Sequence, residues 1–149
     1  VGIGTLLGGV AMSLISMNKD FLLGKAVDKE LEQRVTDIIC GRPSVERVCR
    51  VKSRWEGPNT FAYKSELDFE GAYFANQLRE RYLPKFKEAM TEEDTQILLR
   101  LYAEDVTRAV EREIFTIQKM VRTQVPSAEW VELQPLSSIT QPYALEEKQ

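Results

Sequence analysis

The sequence contains no histidine, which removes the commonest general base and the commonest metal ligand together. Cysteine is nearly as scarce, with Cys40 and Cys49 the only two thiols. Two thiols neither complete a zinc site by themselves nor make a secreted disulfide framework. They read as half-buried thiols in a reducing compartment, and zinc binding by Cys40, Cys49 and nearby carboxylates is the weaker alternative. A strong charge of one sign is missing too: 20 basic side chains face 23 acidic ones, for a formal net charge of -3. Phosphate neutralisation needs a concentrated basic surface, so this balance argues against nucleic-acid binding as a main role. No Gly-rich phosphate loop follows a strand, and no nucleophile–base pair is visible. The chain is therefore read as not an enzyme, with no catalytic residue, resident cofactor or metal site. Glu92, Glu93 and Asp94 suit the positive end of a helix dipole, and Glu111 and Glu113 read as a solvated helix face.

What is present is a chain of 149 residues, 43% hydrophobic and 29% charged, which argues against disorder for most of its length. Residues 1–18 carry no charge, and Lys19 and Asp20 end that run abruptly. As a helix rising about 1.5 Å per residue, such a run reaches roughly 27 Å, enough to cross a bilayer core. The expectation is one transmembrane helix over residues 1–20, with Lys19 and Lys25 reaching the lipid interface. Gly4 and Gly8 form a small-xxx-small pair, and Gly2 and Gly9 widen that smooth face for close helix–helix packing.

Residues 21–134 read as a soluble domain. Asp28 opens a helix with Leu31, Val35, Ile38 and Ile39 at helical spacing, and Gly41 and Pro43 stop it near Cys40. A strict alternation follows, placing Val45, Arg47, Cys49, Val51, Ser53 and Trp55 on one face and Glu46, Val48, Arg50, Lys52 and Arg54 on the other. After a turn at Glu56-Gly57-Pro58-Asn59, a second alternation points Phe61, Tyr63, Ser65, Leu67 and Phe69 inward. The pair predicts an antiparallel hairpin whose exposed Arg50, Lys52 and Arg54 face Glu66 and Asp68. Ala72 to Met90 predicts a helix interrupted by Pro84. Thr91 with Asp94 predicts the start of a long helix to about Thr123, with a break near Ala103–Asp105. Trp130 to Leu133 predicts a last strand. Packed with helices on one face of a three-stranded sheet, this order gives an α+β, ferredoxin-like (αββαβ-type) domain with an extra helix. Residues 135–149 predict an extended tail that orders along a partner through Leu136, Ile139, Tyr143 and Leu145.

Several motifs carry a resemblance. Gly2-Ile3-Gly4-Thr5-Leu6-Leu7-Gly8, followed by Phe21 to Val27, resembles the last transmembrane helix and exit of the cation diffusion facilitator family. Arg42-Pro43-Ser44-Val45 is similar to that family's Asp-Pro-Ser-Val turn, with Arg in place of Asp, and Gly57-Pro58 to its hairpin turn. Leu67-Asp68-Phe69-Glu70-Gly71 resembles a Val-Asp-Phe-Asp-Gly motif of the mitochondrial, zinc-transporter-nine-like branch. The resemblance spans residues 2–134 and implies the dimerising C-terminal domain of a zinc transporter. The family's transport site uses His and Asp pairs on earlier helices, and none of those residues carries over. The resulting expectation is a membrane-anchored, non-catalytic accessory subunit derived from a cation-efflux transporter, in a mitochondrial inner-membrane complex with its domain on the matrix side. The alternative is the C-terminal part of an active zinc or cation-efflux transporter. Expected partners are membrane lipid and other membrane-protein subunits or a second copy, and no nucleic acid.

Overall fold

The fold comes from a computed structural model, which describes residues 2–22 and 25–136. The element order is α1 (Gly2–Leu22), α2 (Lys29–Cys40), β1 (Val45–Trp55), β2 (Phe61–Phe69), α3 (Gly71–Glu88), α4 (Glu92–Gln124) and β3 (Trp130–Pro135). Strand order is β1-β2-β3, with β1 antiparallel and β3 parallel to β2. The α3–α4 pair supplies the long crossover that parallel pairing needs.

Val35 and Ile39 of α2 and Ile117 and Val121 of α4 close over one face of the sheet, where Phe61, Tyr63, Leu67, Val131 and Leu133 meet them in one buried cluster. Burial of these aliphatic and aromatic groups supplies the main driving force for the fold. Polar contacts tie α2 to the same face. Thr36 and Tyr63 share a hydrogen bond of 2.9 Å between their hydroxyls, and Ser53 Oγ donates to Glu32. Burial pushes the Tyr63 phenol above its ordinary value of 10.0, so the hydroxyl stays protonated in that seam.

The alternation in β1 fails twice. Register shifts fall between Val45 and Arg47 and between Cys49 and Lys52. The first bulge inverts the phase, so Arg47 pairs with Asp68 and Cys49 with Glu66, while Val48 comes opposite Leu67 and packs on the core. The second restores it, with Arg50 at φ 50°, the left-handed region. Each extra residue lets Val45, Val48, Val51 and Trp55 all reach the core despite their uneven spacing. The expected charge row changes accordingly. Arg50 does pair with Glu66 at 2.9 Å, but Arg47 rather than Lys52 or Arg54 reaches Asp68, at 2.7 Å.

Glu70 shows why its motif has an acid just before the helix: it accepts from Ala72 N at 3.0 Å while its own amide donates to Ser44 O at 3.0 Å. At Gly57 a Cβ would sit 3.0 Å from Thr60 Oγ1, a tight contact that the Thr60 side chain would have to relieve. The expected cap of α4 is present, with Asp94 N donating to Thr91 Oγ1 at 3.1 Å.

Three expectations about helices are corrected. Pro84 lies inside α3, which runs on to Glu88, because aromatic contacts of Phe86 with Tyr82 and Tyr102 hold the turn beyond it. No break occurs near Asp105 in the 33-residue α4. Most importantly, no described helix is long and apolar enough to cross a membrane. Four glycines, Thr5 and two serines dilute the hydropathy of α1, and the helix runs on through Asn18, Lys19 and Asp20 instead of stopping before them.

Candidate functional site

The described residues contain no cluster of His, Cys, Asp and Glu able to hold a metal ion. Cys40 is exposed and Cys49 half-buried, both as free thiols. What the fold does present is two exposed surfaces, and an internal ion pair that ties α4 to the turn between α2 and β1.

The first surface is α1. Every described side chain from Gly2 to Met17 is exposed, including Ile3 at 77% and Leu6 at 71%. Gly2, Gly4, Gly8 and Gly9 lie on this helix, and among the described residues a Cβ at any of them would meet nothing within 4 Å. Gly2, Thr5, Leu6, Gly9, Val10 and Ser13 line one shallow groove. The groove takes in Gly2 and Gly9, whereas Gly4 and Gly8 lie on another face of the helix and outside it.

The second surface is the arm formed by α3 and the first half of α4. At about 1.5 Å per residue, the 33 residues of α4 extend roughly 50 Å. Its second half covers the sheet, while its first half packs on α3. Phe74, Leu78 and Tyr82 are the buried residues of α3. Tyr82 and Tyr102 meet edge to face at 5.2 Å. Asp105, the polar interruption in the apolar stripe, is the joint: its Oδ2 accepts from Tyr82 OH at 2.7 Å and from Arg81 Nη1 at 2.6 Å. The Tyr82 hydrogen bond, with the nearby Arg81, Arg108 and Arg112 charges, holds the Asp105 carboxyl below its ordinary 3.8. Conversely, the hydrogen bond to Asp105 pushes Tyr82 above 10.0. A depressed acid stabilises the folded form above its unfolded value and loses that contribution as pH falls. A raised phenol is stabilising below its unfolded value and loses its contribution as pH rises. The joint is therefore expected to weaken below about pH 3.8 and again above about pH 10. Near-ultraviolet circular dichroism across pH should show both edges, and Tyr82→Phe should blunt both, leaving the alkaline contribution of the raised Tyr63 phenol.

The third element was misread in the sequence. Glu113, assigned to a solvated face, is 8% exposed. Its Oε1 accepts from Arg42 Nε at 2.9 Å, Arg42 Nη2 at 2.7 Å and Ser44 Oγ at 2.6 Å. Three donors on a buried carboxylate pin the middle of α4 to the turn between α2 and β1. Glu111, by contrast, is exposed as expected. The available signal was periodic: Ala109, Glu113, Ile117 and Val121 recur at every fourth residue, and all are buried.

Of the tail residues, Leu136 is half-buried and its amide donates to Leu67 O at 2.8 Å. Ile139, Tyr143 and Leu145 lie outside the described residues.

Comparison with known proteins gives a consistent picture. No family model matches the chain. It is 29% identical over 141 residues to the proton-coupled zinc antiporter SLC30A9, mitochondrial, of Homo sapiens, covering 91% of this chain and 25% of that protein. The Xenopus laevis antiporter of the same name is 27% identical over 141 residues, again 25% of its length. Metal tolerance protein C4 of Arabidopsis thaliana is 30% identical over 140 residues, covering 89% of this chain and 31% of that protein. The chain thus spans about a quarter to a third of the length of these relatives.

Proposed function

Since the proteins it matches are cation diffusion facilitators, we propose that this chain is a non-catalytic interaction module derived from a cation-efflux transporter. Its role is to hold partners rather than to move ions. The observation that carries this reading is α1. The domain behind it closes its own core, yet the apolar helix buries none of its described side chains. Exposed apolar surface of that kind is the mark of a contact waiting for a partner. The partner is an apolar helix of another membrane-protein subunit or of a second copy, seated on the Gly4–Gly8 face, with Gly2 and Gly9 on another face of α1. In this reading the domain is a ferredoxin-like variant, the tail past Leu136 adds a second contact, and zinc is cargo handled by other helices. The word "mitochondrial" in the human relative's name supports a mitochondrial location, and in this reading the module sits at the inner membrane with its domain on the matrix side. The human relative is named as an antiporter, which accords with a chain that is not an enzyme.

One observation favours a second reading, the C-terminal part of an active zinc or cation-efflux transporter: 91% of this chain matches 25% of the human antiporter. Mass spectrometry of the native protein separates the two, because a mass near 17.1 kDa fits an accessory subunit and a several-fold larger one a transporter.

The interaction reading is tested by replacing Gly4 and Gly8 with Leu. Among the described residues nothing lies within 4 Å of either new Cβ, so the urea midpoint should not move. Association with the larger complex on native gels should weaken about tenfold, because close backbone approach is lost. Deleting residues 137–149, which spares β3, should weaken it separately. Undiminished co-migration after both changes would remove the proposed mechanism.

A further inference from the structure

The face of the sheet that carries no helix has a composition set by its register. Arg54, Ala62 and Trp130 form one row across the three strands, and Lys52, Lys64 and Glu132 the next. Ala62 is the small member between long neighbours, and over it opens a hollow of about 310 Å³ lined by Lys52, Ser53, Arg54, Ala62, Lys64 and Glu132. Three of those six side chains are cations and one is a carboxylate.

The charges in the hollow are not internally balanced. Lys52 and Lys64 are direct cross-strand partners, and like charges so opposed destabilise a sheet. Lys64 is offset by Glu132 at 2.7 Å and Arg54 by Glu56 at 2.6 Å. Among the described residues no carboxylate pairs with Lys52. Glu132 is shared further, accepting from Gln134 at 2.7 Å. A β-sheet that merely needed solubility on this face would gain more from an acid at position 52 or 64, as at the neighbouring Arg47–Asp68 and Arg50–Glu66 pairs.

The hollow also has a definite place in the molecule. Trp55 N donates to Lys25 O at 2.9 Å, so the chain leaving α1 joins the sheet next to Arg54. Exposed Lys25 adds to the same end. The cationic hollow and the exit of the bare apolar helix are therefore neighbours.

We propose that this hollow binds a phosphate-bearing anion, with Lys52 and Lys64 sharing its oxygens and Arg54 closing the side. Several oxygens spread over a tetrahedral group can accept from more than one ammonium at once, and the negative charge removes the repulsion between the paired lysines. The same chemistry is offered by a soluble phosphate compound and by a lipid headgroup. The site stands on the sheet face alone and does not depend on what α1 contacts.

The full chain is to be titrated with pyrophosphate by calorimetry. In parallel it is sedimented with vesicles of phosphatidylcholine alone or phosphatidylcholine containing phosphatidic acid. Lys52→Gln should weaken binding about tenfold, the scale of one charge-assisted hydrogen bond. Lys52→Arg should restore it to within about threefold, since a cation is kept. Lys87→Gln, on the distant arm, should change nothing. Added salt should weaken the interaction, as for any exposed charge contact. Pyrophosphate binding without selective sedimentation identifies a soluble ligand, and Lys52-dependent sedimentation with phosphatidic acid identifies a headgroup. The proposal is overturned if neither probe shows a Lys52-dependent response. It is equally overturned if a glutamate-rich peptide binds through Lys52 while both phosphate probes fail, which would mark a protein-docking face.

Discussion

Truncating Phe61 to alanine is expected to cost about 3–5 kcal/mol, enough to leave much of the domain unfolded. Phe61 is fully buried at the start of β2. Its ring meets Trp55 edge to face at 5.6 Å, and its amide donates to Ser127 O at 2.9 Å. Phe61 thus joins the turn end of the hairpin to the loop that delivers β3. Removal leaves a cavity bordered by two strands and a loop that cannot collapse together. Urea denaturation followed by Trp55 fluorescence measures the loss. The matched control is Leu99→Ala on the arm, where the side chain is 53% exposed and the cost should stay below about 1 kcal/mol. Equal midpoints for the two variants would mean that the sheet is not the stability-determining part of the chain.

The second large effect is at the Arg42–Ser44–Glu113 contact, where the two partners should not respond alike. Arg42→Met leaves the Glu113 carboxylate in a site only 9% exposed, with Ser44 as its remaining donor, and should cost about 3 kcal/mol. Glu113→Leu leaves a guanidinium that is already 27% exposed and can turn to water, so it should cost less, about 1–2 kcal/mol. The double replacement should recover part of the Arg42→Met loss, because an apolar pair in such a site is often close to neutral. Denaturation midpoints of the three variants provide the check. A double variant no more stable than Arg42→Met would show that the contact acts through geometry and not through an unpaired buried charge. The resemblance sharpens the case: the related turn carries Asp where this chain has Arg42, and here that residue makes two of the three hydrogen bonds holding α4 in place.

These two predictions mark where sequence reasoning succeeds and where it fails. Phe61 was legible as a core residue because a β-strand has a fixed period of two, and β2 keeps it from Phe61 to Phe69. β1 was only half legible. Its inner residues are spaced unevenly, and the bulges that reconcile Val45, Val48 and Val51 depend on having β2 as a partner. Glu113 was misplaced because a carboxylate is normally a surface group, and its donors lie 71 and 69 residues away in the chain. Asp105 was read as a helix breaker because its partners Arg81 and Tyr82 sit on another helix.

Local rules of spacing, capping and turn chemistry were sufficient for the order of elements, the hairpin, the cap at Thr91 and the apolar character of α1. They also carried the resemblance to the cation diffusion facilitators that the relatives bear out. Tertiary structure alone decided which charges are buried and which lysines come opposite each other on β1 and β2. Each of those depends on groups brought together from distant parts of the chain, and a local period carries no information about distant partners.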